Sequence, residues 1–364
     1  MPCVPSGPRA SRRLCWRTIL LRDDGVRDAA TSPPVRYSTV TSRPHILITG
    51  GAGFIGSALA SRLIAEGAHV YVVDNLVSGF LRNLPPEAEF IETDCSDQSA
   101  MREVFGSFRI DVVCHLAAQV STIVSHRDPW SAFRTNVGGT INVLEEVRRQ
   151  RITRLVDAST MALYGNPERL PVPEDAALRP RSPYGVSKLA AEHLVHNMAE
   201  RRDLAVPLSV TSLRMFNVYG PGQSLENPYQ GVAGVFIRNI LAGEPVTIFG
   251  SGEQRRDFVF IDDVIDCWTR VLVNEGTGGK RINVGSGRTH TIHELLAAVL
   301  SAFSMSRADY EVVYEEEVPG DQQAIQADTR LARDVLAWRP RVDLVEGIEQ
   351  TVAWGKLHWN VAGS

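Results

Sequence analysis

The chain has 364 residues, 44% of them hydrophobic and 22% charged, an ordinary balance for a globular protein of about two domains. Its formal net charge of -4 leaves no basic footprint for nucleic acid. No stretch reaches the roughly 18 consecutive apolar residues of a spanning helix, so no membrane partner is expected.

Five cysteines (Cys3, Cys15, Cys95, Cys114, Cys267) are scattered, with no CxxC pair. That pattern predicts reduced thiols and a cytoplasmic setting. His290 and His293 are an isolated pair, so no metal site is expected. Residues 1–44 are rich in Pro, Ser and Arg and lack apolar periodicity. They are expected to be a disordered leader or an upstream-extended start, outside the fold.

Order begins at His45-Ile46-Leu47-Ile48-Thr49, a short apolar run that reads as a buried parallel strand. Gly50 to Gly56 follows, and Ile55, Leu59 and Leu63 then recur at helical spacing until Gly67. His69 to Asp74 is a second buried strand ending in an acid. Phe90 to Glu92 is predicted as a strand, Gln98 to Phe105 as a helix, and Val112 to Leu116 as a strand. A helix through Val143, Leu144 and Val147 precedes the strand Arg154 to Ser159. The helix from Tyr184 to Glu200 then leads to the strand Leu208 to Arg214.

This alternation implies an α/β fold, a Rossmann doubly wound parallel sheet. Beyond Asn217 the rhythm becomes irregular, with a helix near 232–241 and a strand at 246–249. The expected division is a dinucleotide-binding domain over 45–216 with a return segment at about 257–285, which is expected to rejoin the sheet near Asp257–Asp266. Segments 217–256 and 286–355 are expected to form a smaller substrate-binding domain.

Gly50-x-x-Gly53-x-x-Gly56 lies between a strand and a helix, where bare backbone can approach a pyrophosphate at the helix N-terminus. Asp74, at the next strand end, is placed to accept hydrogen bonds from the adenosine ribose and to repel a 2′-phosphate, which predicts NAD over NADP. Asp94 and Cys95 are placed beside the adenine. Tyr184 and Lys188 stand at i and i+4 on one helical face. A lysine ammonium and a cationic nicotinamide ring would favour the phenolate of a tyrosine that titrates near ~10 when free. Thr160, at a strand end upstream, supplies a hydroxyl for the reacting oxygen.

Several motifs fall in order along residues 45–355: Thr49 to Gly56, His115-Leu116-Ala117-Ala118, Thr135 to Thr140, Ser159-Thr160 with Tyr164-Gly165, Tyr184 to Lys188, Arg214 to Gly222 and Arg256 to Asp263. On these motifs the chain resembles the extended short-chain dehydrogenase/reductase superfamily, in its NAD-dependent nucleotide-sugar epimerase/dehydratase group. The resemblance implies a cofactor surface of Gly50, Gly53, Phe54, Ile55, Gly56, Asp74, Asn75, Asp94, Cys95, Leu116, Ala117, Ala118 and Asn136, with Tyr184 and Lys188. It implies Thr160, Tyr184 and Lys188 as the catalytic set. Thr160, Asn217, Phe249, Arg256 and Asp321 would contact the nucleotide sugar. A homodimer through the helices at 135–149 and 184–200 is expected from the same resemblance.

Dehydratases and decarboxylases of the group keep acidic residues after the hydroxyl residue, where this chain has Met161 and Ala162. Neither moves a proton, so the resemblance favours a 4-epimerase, closest to UDP-glucose 4-epimerase-like proteins. Other nucleotide sugars (dTDP-6-deoxyhexoses, UDP-glucuronate, UDP-N-acetylhexosamines), a net oxidoreductase and a non-catalytic NAD- and sugar-binding regulator stay open. Ser224 stands where a glucuronate epimerase would be expected to carry arginine. Val318 replaces an arginine that many relatives set against the diphosphate. Ile325 occupies a position where a bulky aromatic excludes N-acetyl sugars and a small residue admits them, and its intermediate size leaves that choice open.

Overall fold

The computed structural model describes residues 43–227, 231–317 and 322–359. The dinucleotide-type half runs in chain order as strand β1 (His45–Thr49), helix α1 (Phe54–Ala65), β2 (His69–Asp74), β3 (Glu89–Glu92), α2 (Gln98–Ser107) and β4 (Val112–His115). Two short helices follow, α3 (Thr122–Arg127) and α4 (Pro129–Phe133), then α5 (Gly139–Arg149), β5 (Arg154–Thr160), α6 (Pro183–Glu200) and β6 (Ser209–Met215). The remainder comprises β7 (Asn217–Tyr219), α7 (Val232–Ala242), β8 (Val246–Phe249), β9 (Arg255–Arg256), β10 (Phe258–Phe260), α8 (Ile261–Val273) and β11 (Lys280–Val284). It ends with β12 (His290–Thr291), α9 (Ile292–Ala302), β13 (Val312–Glu315), α10 (Arg330–Leu336) and α11 (Leu344–His358).

Seven parallel strands form the main sheet in the order β11-β6-β5-β4-β1-β2-β3. The strand order reverses between β1 and β4, and their carboxyl ends open the crevice where ligands bind in such sheets. The last strand differs from expectation. The chain was expected to rejoin the sheet near Asp257–Asp266, but β10 pairs with β7 in a separate two-stranded ribbon. It is β11 that docks beside β6, from Lys280↔Thr211 to Val284↔Met215.

Alternation along the strands sorts side chains onto two faces. Ile46, Ile48, Val72, Val112, Cys114, Val156 and Leu213 belong to the core cluster that also contains residues of α1 and α8. Leu47, Val73, Val113, Leu155 and Val210 share the other cluster with residues of α2, α5 and α6. Capping explains why α6 starts where it does. The Ser182 hydroxyl accepts from Gly185 N (3.1 Å), and Pro183 occupies the first turn, where its missing N–H costs nothing.

Candidate active site

The glycine loop packs so closely that side chains are excluded. A Cβ on Gly56 would lie 2.3 Å from the Gly50 carbonyl oxygen. Gly50 has φ +69°, and a Cβ there would come within 2.6 Å of Ala117 N across the crevice. Gly53 caps α1 without any side-chain hydrogen bond, which leaves the helix's first N–H groups for an anion. Phe54 and Ile55 form the first turn behind it.

Asp74 closes β2 with its carboxylate nearly buried. Oδ2 accepts from Ala52 N (3.0 Å) and Oδ1 from Leu76 N (2.9 Å), which ties the glycine loop to the strand end. Burial pushes its pKa up against these backbone donors. Asn75 donates to Asp94 Oδ2 (3.1 Å), so the two polar residues form one rim. Cys95 turns its thiol inward, buried and pushed up to about 12 by desolvation, so only its backbone is available at that rim. Leu116 N donates to Thr49 O and Ala117 N to Thr49 Oγ1, which fixes the turn through Ala118 at the end of β4. The Asn136 amide is committed within the fold. It donates to Gln119 O (3.0 Å) and Ser187 Oγ (2.9 Å) and accepts from Gln119 N (2.7 Å), so it clamps this loop to α6.

Thr160 ends β5, and Tyr184 and Lys188 lie one turn apart at the start of α6. A Cβ on Gly185 would stand 3.1 Å from Ala162 O, so a small residue there lets the turn after β5 approach the helix. Lys188 is 3% exposed, and none of the described residues is in hydrogen-bond contact with its ammonium. In the protein alone, burial raises the Tyr184 phenol above its ordinary value, Thr160 pulls it back and Asp157 adds to the rise. The direction expected from Lys188 is thus overridden by desolvation until a cationic cofactor shares the site.

Toward the second half, Asn217 N and Nδ2 both donate to Asp257 O (3.1 and 3.0 Å), while its side-chain oxygen is left for a ligand. Arg256 is buried on β9, with Nη1 donating to Arg255 O (3.1 Å). Behind both, the Asp257 carboxylate accepts from Ser286 N and Oγ, Gly287 N and Ala327 N. Phe249, 40% exposed at the end of β8, presents an open aromatic face. Ile325 is fully buried in the cluster that contains Tyr164, Val172 and Phe216. Ser224 accepts from Glu226 N and Asn227 N, which folds its loop on itself. Asp321 and Val318 lie outside the described residues.

The sequence reading missed a buried ion pair behind the site. Glu192 accepts from Ser159 Oγ (2.6 Å), from Arg214 Nε and Nη2 (3.0 and 2.7 Å) and from Arg281 Nε (3.1 Å). The signal was available in the four-residue spacing Tyr184, Lys188, Glu192 and His196, a polar ridge on one face of α6.

The model of the NAD dependent epimerase/dehydratase family matches residues 46–285. The chain belongs to this family. NAD is therefore its cofactor, and the bare glycine cradle, the Asp74 rim and the buried Lys188 ammonium fit that group. This family member is 36% identical over 312 residues to the UDP-glucose 4-epimerase of Mycolicibacterium smegmatis, covering 84% of this chain and 96% of that one. Two solved structures are similar at 36% identity, each covering 86% of this chain and 99% of its own. They are UDP-glucose 4-epimerase with UDP-glucose from Thermotoga maritima (TM-score 0.81) and UDP-glucose 4-epimerase in complex with NAD from Thermus thermophilus (TM-score 0.79). Among the described residues no helix is long and apolar enough to cross a membrane, and no cluster of metal-ligating side chains occurs.

Proposed function

We propose that the chain interconverts the C4 epimers of a UDP-hexose, UDP-glucose and UDP-galactose, through a transient 4-keto sugar. The observation that carries this reading is the local chemistry around Thr160. Tyr184 is in hydrogen-bond contact with its hydroxyl and Lys188 follows one turn later on α6, while the next two residues, Met161 and Ala162, have no acid or base with which to expel water or carbon dioxide. The relatives named UDP-glucose 4-epimerase support the choice of sugar.

Bound NAD supplies the hydride acceptor and donor at C4. Tyr184 Oη takes the proton of the 4-hydroxyl as C4 is oxidised, and Thr160 holds the same oxygen by hydrogen bonding. The Lys188 ammonium offsets the phenolate's charge and is assigned to the nicotinamide ribose. When the carbonyl is reduced on its opposite face, Tyr184 returns the proton. Asn217 and Arg256 are assigned to the diphosphate, where a planar guanidinium suits paired oxygens. Phe249 is assigned to the base and Asp321 to the ribose.

Residues 45–216 with 257–285 would bind NAD, and 217–256 with 286–355 the sugar nucleotide. A homodimer through α5 and α6 is supported by Ile141 and Val186, apolar side chains over 40% exposed on those helices. A cytoplasmic location is supported by three free, buried thiols, Cys95, Cys114 and Cys267.

The test is an NMR time course of the purified protein with UDP-glucose, UDP-galactose, UDP-glucuronate and dTDP-sugars, without added NAD. Interconversion of UDP-glucose and UDP-galactose with no net NADH is expected. Turnover of another sugar alone, or steady NADH formation once NAD is supplied, would overturn this assignment.

A further inference from the structure

α6 carries both Tyr184 and Lys188, so the supports at its N-terminus set where they stand. The first turn of a helix leaves N–H groups that no intrahelical carbonyl can take. Here each of them is accounted for. Pro183 has no N–H, Gly185 N donates to Ser182 Oγ (3.1 Å) and Val186 N donates to Ser182 O (2.9 Å). The remaining amide is that of Tyr184 itself. It donates to Ser125 Oγ (3.1 Å), 59 positions upstream on α3.

The Ser125 hydroxyl is committed to that contact. It is 0% exposed, and its own proton goes to Thr122 O (2.7 Å) at the start of α3. With the proton taken, the oxygen meets Tyr184 as an acceptor. Ser121 caps α3 in turn, accepting from Val124 N (3.1 Å). The Tyr184 carbonyl is held from the same stretch of chain. Ser187 Oγ donates to Tyr184 O (2.8 Å) and accepts from Asn136 Nδ2 (2.9 Å), and Asn136 exchanges hydrogen bonds with Gln119 N and O. Residues 119–125 thus hold the Tyr184 backbone directly at its N–H and, through Asn136 and Ser187, at its C=O.

A helix cap ordinarily comes from the residue just before the helix and moves with it. Ser125 belongs to another segment, so its bond fixes where α6 begins relative to the rest of the site. At the other end of the same side chain, the Tyr184 phenol is hydrogen-bonded to Thr160. Misplacing a reacting group by about 1 Å can cost about 100-fold in rate.

We propose that Ser125 is a positioning residue for the reaction: it anchors the Tyr184 amide so that the phenol stays in register with the Thr160 hydroxyl and the sugar. This inference rests on the roles given to Tyr184 and Thr160 above.

The test compares NAD-loaded wild type with Ser125→Ala, Ser125→Thr, Thr160→Val and the double variant Ser125→Ala with Thr160→Val. Tyr184→Phe assigns the tyrosine signal, and Asp97→Ala, which removes the cap of α2, controls for stability. kcat and KM are measured with UDP-glucose and UDP-galactose, and the Tyr184 phenolate midpoint by absorbance against pH. In Ser125→Ala, kcat is expected to fall by about 10–100-fold with KM and NAD content unchanged. The midpoint should rise, because the Thr160 hydrogen bond favours the phenolate. Ser125→Thr keeps the hydroxyl and should restore most of the rate. The double variant should lose less than the two separate losses combined, since both act on one alignment. Should Ser125→Ala not fold, Ser125→Cys, of similar volume with only a weak acceptor, takes its place.

A kcat loss no larger than that of Asp97→Ala, an unmoved midpoint or fully independent losses with Thr160→Val overturns the proposal. If the absorbance step persists in Tyr184→Phe, or that variant turns over normally, the assignment of Tyr184 has failed and the proposal falls with it. If wild type turns over neither sugar, the sugar assignment fails and the midpoint comparison alone decides the role of Ser125.

Discussion

Replacing Glu192 with leucine tests whether the catalytic helix is held to the sheet by charge. Glu192 and Arg214 are 0% and 2% exposed in their side chains, and their contact is bidentate. Leucine would leave the Arg214 guanidinium buried with only the Tyr164 hydroxyl (2.9 Å) and Glu174 O (2.7 Å) as partners. Breaking a buried pair from one side costs about 3–5 kcal/mol, a large share of the roughly 5–15 kcal/mol that stabilises a typical domain. Urea unfolding at neutral pH should therefore show a clear fall in midpoint. The double variant Glu192→Leu with Arg214→Leu should recover part of that loss, because it no longer buries a lone charge.

The pair also has a pH signature. Burial works to raise the Glu192 pKa, but the Arg214 contacts outweigh it and leave the value below the ordinary carboxyl range. A depressed folded value contributes stability above the unfolded carboxyl's pKa, and that contribution is lost as pH falls through the folded one. Acid sensitivity in this range should be blunted in the double variant. A single-variant loss under about 1 kcal/mol, or strictly additive losses in the double variant, would refute this account of how α6 is anchored.

Three further outcomes are expected. Tyr184→Phe should retain bound NAD, measured by absorbance after denaturation, while turnover falls by about 10²–10⁴-fold. Gly56→Ala should purify with little NAD but a near-normal circular dichroism spectrum, since the added Cβ collides with the Gly50 carbonyl inside the cradle. Burial holds the Asp257 carboxyl up at about 6 despite four donors. A raised folded value stabilises below the unfolded pKa and is lost as pH rises through about 6, a change of about 3 kcal/mol. Asp257→Asn should flatten that part of the stability profile while lowering stability overall, because its amide would face N–H donors.

What could be read from the sequence was what repeats locally. The strand-glycine-helix passage at Thr49–Gly56, the acid ending β2 and the Tyr184–Lys188 spacing each depend on a few neighbouring residues. The parallel sheet and the cofactor rim followed from them. The polar residues that register aligns across β4, β5 and β6 were not legible in this way. His115, Asp157 and Ser212 lie on three strands separated by helices, and each alone looks like one polar interruption of an apolar run. The seventh strand was misplaced for a related reason. Phe258–Phe260 has the apolar look of a sheet strand, yet it joins a two-stranded ribbon with β7, and the less uniform Lys280–Val284 takes the sheet edge.

These residues also explain why the site can sit at the sheet's carboxyl edge without loosening the fold. The reacting groups lie at the end of a strand or near the head of a helix: Thr160 is the last residue of β5, and Tyr184 and Lys188 lie in the first turns of α6. Thr160 follows Ser159, which donates to Glu192, and Glu192 lies one turn after Lys188 on α6. One carboxylate thus ties the strand that presents the hydroxyl to the helix that presents the phenol and the ammonium. A shift of α6 along the sheet would separate Thr160 from Tyr184 and strand a buried arginine in the same movement. The cost of breaking the ion pair is therefore also the cost of misaligning the reacting groups.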